Sequence, residues 1–110
     1  MNKKDIKPAI TPIFSDCIEI RMGSPYNVCN LKLIGEWIPE LPAYQWQDKF
    51  AYNDDKSIIA LVGWRTDNNT PGFVIVTIDS NTKSVTESER YIGCCARIEW
   101  KYNKFSVYVF

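Results

Sequence analysis

The chain has no histidine and no net charge, and its glycines are few. Without histidine, the sequence excludes Ser-His and Cys-His nucleophiles, imidazole acid–base catalysis and His-ligated metal centres. The balance of 13 basic against 13 acidic residues lacks the basic excess of dedicated nucleic-acid-binding proteins, so we expect no nucleic-acid partner. The five glycines are scattered singly, which excludes a glycine-rich phosphate-binding loop.

Long hydrophobic runs are also missing. The longest uncharged apolar stretch, residues 58–62, is far shorter than the ~20 residues that a membrane-spanning helix needs. The basic residues near the N-terminus are not followed by the apolar segment of a signal peptide. We therefore expect a cytoplasmic protein with no membrane association.

Cysteine is present but without the spacing of a metal or redox motif. In the cytosol, reduced thiols are the expected state. A hairpin centred on Pro25 would place Cys29 opposite Arg21 rather than Cys17. We interpret the cysteines as packing residues and expect no metal site and no cofactor. They are Cys17, Cys29, Cys94 and Cys95.

The order of apolar and polar residues predicts the fold. A length of 110 residues with 45% hydrophobic residues indicates one globular domain. Residues 1–12, with Pro8 and Pro12, are predicted to form an N-terminal arm, and residues 13–110 a single β domain. Alternation with a period of two predicts strands at 17–22, 28–34, 85–91 and 94–102, and strands are also predicted at 46–52 and 105–110. Residues 57–65, which are apolar on both sides, and the β-branched run 73–79 predict two buried strands.

These strands predict an all-β fold, mainly antiparallel, with about eight strands arranged as a meander or sandwich. A short helix near residues 40–48 is the expected exception. The last predicted strand, 105–110, could also pair with a second copy of the chain. The sequence therefore leaves a monomer and a dimer both open.

Acidic residues are concentrated in one part of the chain. Residues 10–55 contain seven acidic and three basic residues, although the whole chain is neutral. Aromatic residues alternate with these acids, and aromatic anchors inside a charged rim are typical of protein-binding surfaces. The alternative is that the aromatic residues fill the core and the acids only solvate its rim. The candidate partner-binding residues are Glu36, Trp37, Glu40, Tyr44, Asp54 and Asp55.

One pair of carboxylates could indicate an enzyme. Glu87 and Glu89 are predicted to lie side by side on one face of a strand, as in some hydrolases. Solvated residues on a strand face give the same pattern. Because nothing apolar beside them would raise a carboxyl pKa, we expect no catalytic residues and no enzymatic activity.

The second half of the chain resembles a known family. Residues 55–61, 71–79, 90–95 and 98–100 resemble a blade-type β-meander, as found in β-propeller repeats and in small immunity proteins of bacterial contact-dependent inhibition systems. A closed propeller needs at least four blades of ~40–45 residues, which excludes it at this length. The resemblance to the immunity proteins covers residues 55–100, and as a group they are also similar to this chain in size, expected compartment and lack of catalytic residues.

This resemblance implies a function. Immunity proteins of such systems bind a cognate toxin domain, often a nuclease, and block its active site or substrate face. We expect a non-enzymatic binding protein whose carboxylates contact a basic, nuclease-like toxin domain. The alternative is a small-ligand-binding β-barrel or sandwich with an aromatic-lined pocket.

Overall fold

The computed structural model describes residues 6–19 and 27–110, and it confirms the all-β prediction. Within those ranges there are nine strands. They are β1 (Ile10–Glu19), β2 (Asn27–Gly35), β3 (Trp46–Tyr52), β4 (Ile58–Trp64), β5 (Gly72–Asp79), β6 (Ser84–Glu87), β7 (Tyr91–Ile92), β8 (Cys95–Lys101) and β9 (Lys104–Val109). No helix occurs among these residues, so none is long and apolar enough to cross a membrane.

Every strand pairing is antiparallel. Strands β1 to β6 follow one another across a single sheet in chain order. β7 pairs with the start of β5, while β6 pairs with its end. β8 and β9 form a separate two-stranded sheet. Turns that contain positive-φ residues, such as Lys56, Lys83 and Asn103, make these short connections possible.

The two central strands are apolar on both faces. In β4 and β5 nearly every residue is buried, and the register places Leu61 opposite Val76 and Val62 opposite Ile75. Because successive side chains in a strand point to opposite faces, each face of this strand pair presents its own apolar surface. Both surfaces therefore need a cover.

Two hydrophobic cores provide these covers. The first contains Ile59, Leu61 and Val76, with Phe14 of β1, Leu31 of β2 and the connection after β2 packed over them. The second core lies on the opposite face. There, side chains of β4 and β5 pack against side chains of the β8–β9 hairpin. The residues are Ala60, Val62, Phe73 and Ile75 on the sheet and Cys95, Ile98, Phe105 and Val107 on the hairpin. The β8–β9 hairpin thus forms a separate layer that covers the second face of β4 and β5.

The single strand predicted over residues 85–91 is divided into β6 and β7, and the boundary of the N-terminal arm also differs from the prediction. The proposed arm over residues 1–12 overlaps β1, because β1 begins at Ile10, whose side chain is buried in the first core. The Tyr52 hydroxyl also donates a hydrogen bond to the Ile10 carbonyl at 2.7 Å. Pro12 is compatible with a strand here because β1 lies at the sheet edge.

The prediction of a short helix near residues 40–48 was wrong. Residues 38–45 have no regular structure, and β3 begins at Trp46. Pro39 and Pro42 lack amide donors and bias the preceding residues towards extended conformations. The connection therefore crosses the first core as an irregular segment, with Trp37 and Leu41 packed against it.

The prediction of four reduced cysteines was wrong for one pair, since Cys17 and Cys29 form a disulfide. Asp16 has a φ of 52° and lies at an irregularity in β1, where the register passes from Ser15 opposite Asn30 to Ile18 opposite Val28. The extra residue shifts Cys17 to the position opposite Cys29. Residues 20–26, which include the end of the predicted strand 17–22 and most of the predicted turn at 23–27, lie outside the described residues. Such a bond is typical of oxidising compartments and does not support the expected reducing cytosol.

We expect the disulfide to stabilise the β1–β2 hairpin. It joins residues with a sequence separation of 12, and cross-links closing loops of about this length contribute roughly 2–4 kcal/mol. A thiol reductant should lower the free energy of unfolding by about this amount in urea titrations followed by Trp fluorescence. The Cys17→Ser variant should be less stable than the oxidised protein and insensitive to reductant. Superimposable wild-type curves with and without reductant would contradict this.

Candidate protein-binding site

The predicted partner-binding residues lie in two connections of the sheet. Glu36, Trp37, Glu40 and Tyr44 belong to the segment between β2 and β3, and Asp54 and Asp55 to the turn between β3 and β4. All four carboxylates of this set are exposed. Trp37 and Tyr44 are half-buried and pack against the first core. The two aromatic residues therefore contribute both to the core and to the surface.

One end of the sheet brings four of these residues together. The Ala9 amide donates to the Lys56 carbonyl at 3.1 Å, which places residues 7–9 beside the β3–β4 turn. The Ala9 carbonyl in turn lies against the Cα of Gly35, where any larger side chain would collide with it. Ala9 thus lies between Gly35, which precedes Glu36 and Trp37, and Lys56, which follows Asp54 and Asp55.

A cleft of about 740 Å³ opens at this end of the sheet. Its volume lies within the ~300–1,000 Å³ range of ligand sites. Trp37 forms an aromatic part of the wall, and Glu36 adds a carboxylate. The lining residues are Lys7, Pro8, Ala9, Thr11, Ile34, Gly35, Glu36, Trp37, Ser80 and Lys83.

The cleft carries charges of both signs. Lys7 and Lys83 line it together with Glu36, and Lys56 lies in the adjacent turn. The acidic excess that the sequence has over residues 10–55 therefore does not produce a uniformly acidic surface here, because Lys83 comes from a distant part of the chain. An interface at this cleft would need a partner with complementary charges of both signs.

The wall that carries Lys83 is anchored to the sheet. The Ser80 amide donates to the Ser57 carbonyl at 3.0 Å, which joins the β5–β6 turn to the β3–β4 turn. Asp79 Oδ1 accepts hydrogen bonds from the amides of Asn81 and Thr82, at 2.9 and 3.3 Å. These bonds hold the turn in place before any partner binds. Lys7, Ser80 and Lys83 were not predicted from the sequence, since nothing in their spacing relates them to Trp37.

Asp55 has a structural role in its turn. Its Oδ1 accepts a hydrogen bond from the Ser57 amide at 3.0 Å and another from the Ser57 hydroxyl. The bond from the hydroxyl, followed by that from the amide, lowers the pKa of Asp55. The carboxylate is therefore ionised and fixed in orientation, and Asp54 beside it is exposed.

Tyr44 lies apart from the cleft. Its ring packs over Gly63 and makes an edge contact with Trp46, with ring centroids 6.0 Å apart. Gly63 lies near the end of β4 that is farther from the β3–β4 turn, about 17 Å from Ile58, which follows that turn, in an extended strand. A hydrogen bond to the Glu87 carboxylate is the main cause of the raised pKa of Tyr44. The six predicted residues thus do not form one continuous patch.

The carboxylate pair considered for an enzyme lies outside the cleft. Neither Glu87 nor Glu89 lines it, and Glu87 interacts with Tyr44 instead. Between them, the Ser88 hydroxyl accepts a hydrogen bond from the Ile75 amide at 2.8 Å. Ser88, between the two carboxylates, thus pairs with a backbone amide of β5.

A buried polar cluster lies between β3 and β8. Gln47 is fully buried and donates from Nε2 to the Cys95 carbonyl at 2.6 Å, while its Oε1 accepts from the Cys94 thiol at 3.5 Å. Cys94 and Cys95 are free and buried, as predicted for packing residues. Burial raises the pKa of both thiols from 9.0 to about 11. Thiols that stay protonated at neutral pH are poor nucleophiles and ligands.

We expect Cys94 and Cys95 to resist alkylation in the folded protein. At pH 8, iodoacetamide should modify neither residue in the native state and both in urea, as counted by mass spectrometry. Because folding raises both pKa values, their contribution to stability is complete below pH ~9 and is lost as the pH rises towards 11. A Cys94→Ala, Cys95→Ala variant should therefore show a smaller alkaline decline in urea midpoint. Rapid labelling of the native protein would contradict this.

Comparisons with protein-family models, with curated proteins and with solved structures found no match to this chain. The cleft beside Trp37, with its fixed walls and mixed charges, is therefore interpreted from its own residues.

Proposed function

We propose that this is a non-enzymatic binding protein whose partner is another protein, seated on the cleft end of the sheet. More specifically, we propose an immunity protein that neutralises a cognate toxin domain by covering its active site or substrate face. The observation that carries the proposal is the cleft of about 740 Å³ beside Trp37, with Glu36 in its wall and Asp54 and Asp55 in the neighbouring turn.

The composition of this surface supports a protein partner. Trp37 is a half-buried aromatic residue in a concave wall, and the exposed residues that line the cleft with it include the charged Lys7, Glu36 and Lys83. Tryptophan anchors surrounded by a polar rim contribute most of the binding energy at many interfaces. The sequence also left open that Trp37 only fills the core. Its packing against the first core is compatible with this alternative, but Trp37 also lines the cleft, which a residue that only fills the core would not need to do.

The anchoring of the walls also supports binding by a preformed surface. Backbone hydrogen bonds join residue 9 to the β3–β4 turn and that turn to the β5–β6 turn. A surface that is already ordered loses less conformational entropy when a partner binds. Such a surface suits an inhibitor that acts by steric occlusion.

The charges refine the proposed mechanism. Glu36, Asp54 and Asp55, with Glu40 farther along the same connection, provide carboxylates for a basic, nuclease-like toxin surface. Lys7 and Lys83 would contact acidic groups at the rim of that toxin. This arrangement favours occlusion with complementary charge pairs over imitation of a nucleic acid by carboxylates alone.

The proposal is tested with the purified product of the gene immediately upstream as the candidate toxin. A 1:1 complex and loss of toxin activity on mixing are the expected results. Glu36→Lys should slow association by roughly tenfold or more at low salt, because a rim charge acts mainly on the association rate. Glu40→Lys should act in the same direction.

Glu89→Lys is the matched control, since it makes the same charge reversal at an exposed site outside the cleft. Its association rate in biolayer interferometry should equal that of the wild type. Equal rates for Glu36→Lys and the wild type would exclude the cleft as the interface. Unimpaired toxin activity with excess protein would exclude the immunity function.

The same cleft favours a second candidate function, the binding of a small anionic aromatic ligand. Lys7 and Lys83 could neutralise a carboxylate or phosphate while the ring packs on Trp37. Titration with adenosine monophosphate and with benzoate should then change Trp fluorescence in a saturable way. The change should be lost in Trp37→Phe and retained in Trp100→Phe. No change with either compound would argue against such a ligand.

A further inference from the structure

Cys29 lies in β2, and each of the two neighbouring strands, β1 and β3, contains an irregularity. The first, in β1, places Cys17 opposite it. The second lies in β3, where the pairing with β4 passes from Gln47 opposite Val62 to Phe50 opposite Leu61. β2 runs between these two strands and pairs with β3 at Cys29 and Trp46. Asp48 lies in this stretch of β3, two residues after Trp46, and its carboxylate lies near the sulfur of the same cysteine that Cys17 reaches from the other side.

The three side chains form a compact set of ligand atoms. The sulfurs of Cys17 and Cys29 and a carboxylate oxygen of Asp48 all lie within 4.8 Å of one another. Cys29 is buried, whereas Cys17 and Asp48 are exposed. The set thus has one side fixed in the protein and one side open to solvent.

The carboxylate of Asp48 is held in position by a second layer of contacts. Asn27 Nδ2 donates to Asp48 Oδ2 at 3.1 Å, and the Asn27 carbonyl accepts from the Trp64 indole at 2.8 Å. An ionised carboxylate has about four lone-pair sites, so the bond from Asn27 can coexist with a metal bond. Outer partners of this kind are typical of protein metal sites.

We propose that reduction of the Cys17–Cys29 disulfide converts this set into a Zn²⁺ site, with two thiolates and the Asp48 carboxylate as ligands. Thiolate ligands select zinc over magnesium or calcium, which prefer oxygen. Three protein ligands leave one tetrahedral position for water, on the exposed side. This inference does not depend on the proposed toxin-binding function.

The redox step balances with a low-molecular-weight thiol as reductant. Two such thiols give up two electrons and two protons and join in a new disulfide, while the Cys17–Cys29 bond breaks to give two protein thiols. Zn²⁺ then displaces the two thiol protons to water. In a reducing compartment the metal would link β1 to β2, as the disulfide does in an oxidising one.

Cobalt(II) is the probe for the site, because thiolate-bound cobalt has charge-transfer absorption that zinc lacks. The fully reduced wild type should bind one equivalent with this absorption and release it on addition of Zn²⁺. The oxidised wild type should give no such absorption. Reduced protein without thiolate–cobalt absorption would overturn the proposal.

Three variants locate the site. Cys17→Ser should lose most of the charge-transfer intensity, and Asp48→Asn should weaken cobalt binding by at least the roughly 10- to 100-fold that removal of a supporting partner costs. Cys94→Ser is the matched control and should bind like the wild type. Binding that is lost in Cys94→Ser and retained in Cys17→Ser would overturn the assignment.

Reduction of the disulfide could destabilise the β1–β2 hairpin, so the site is also tested by the stability of the reduced protein with and without Zn²⁺. Zn²⁺ should raise the urea midpoint of the reduced wild type in a concentration-dependent manner, because a ligand of the native state stabilises it by mass action. The midpoint of reduced Asp48→Asn should respond less at each zinc concentration. An equal response in both proteins would show that Asp48 is not a ligand.

Discussion

The double-sided burial of β4 and β5 is the constraint on which the rest of the structure depends. Leu61 and Val76 belong to one core, and Val62 and Ile75 to the other. A sheet with apolar residues on both faces is stable only if each face is covered. β1, β2 and the connection that follows them cover one face, and the β8–β9 hairpin covers the other. The position of Trp37, half in the core and half in the cleft, follows from this requirement.

Local irregularities give the covering strands their special geometry. In β1 an extra residue brings Cys17 opposite Cys29, and in β3 Asp48, which lies near the same cysteine, belongs to the stretch that is unpaired with β4. An irregularity changes which side chains face each other without changing the order of strands. The disulfide and the proposed zinc site therefore involve only short stretches of β1, β2 and β3, whereas the cleft depends on contacts among segments far apart in the chain.

Much of the fold follows from alternation, because a strand with one buried face must alternate. β3 and most of the later strands lie where the pattern predicts them. The prediction of a helix near residues 40–48 was wrong, and β1 begins inside the predicted arm, for the same reason. Pro12 and residues 38–45 have no periodic pattern of their own, so packing on the first core decides their conformation. The disulfide was missed because the hairpin register assumed no irregularity.

The all-β class, the apolar character of β4 and β5 and the burial of Cys94 and Cys95 could be predicted before the structure, since these depend on local patterns of residue type. Which charged residues share a surface could not be predicted, because it depends on the fold. It placed Lys7 and Lys83 beside Glu36, although they are far apart in the chain. Strand order and turn positions set such proximities, and neither is contained in the spacing of the charged residues themselves.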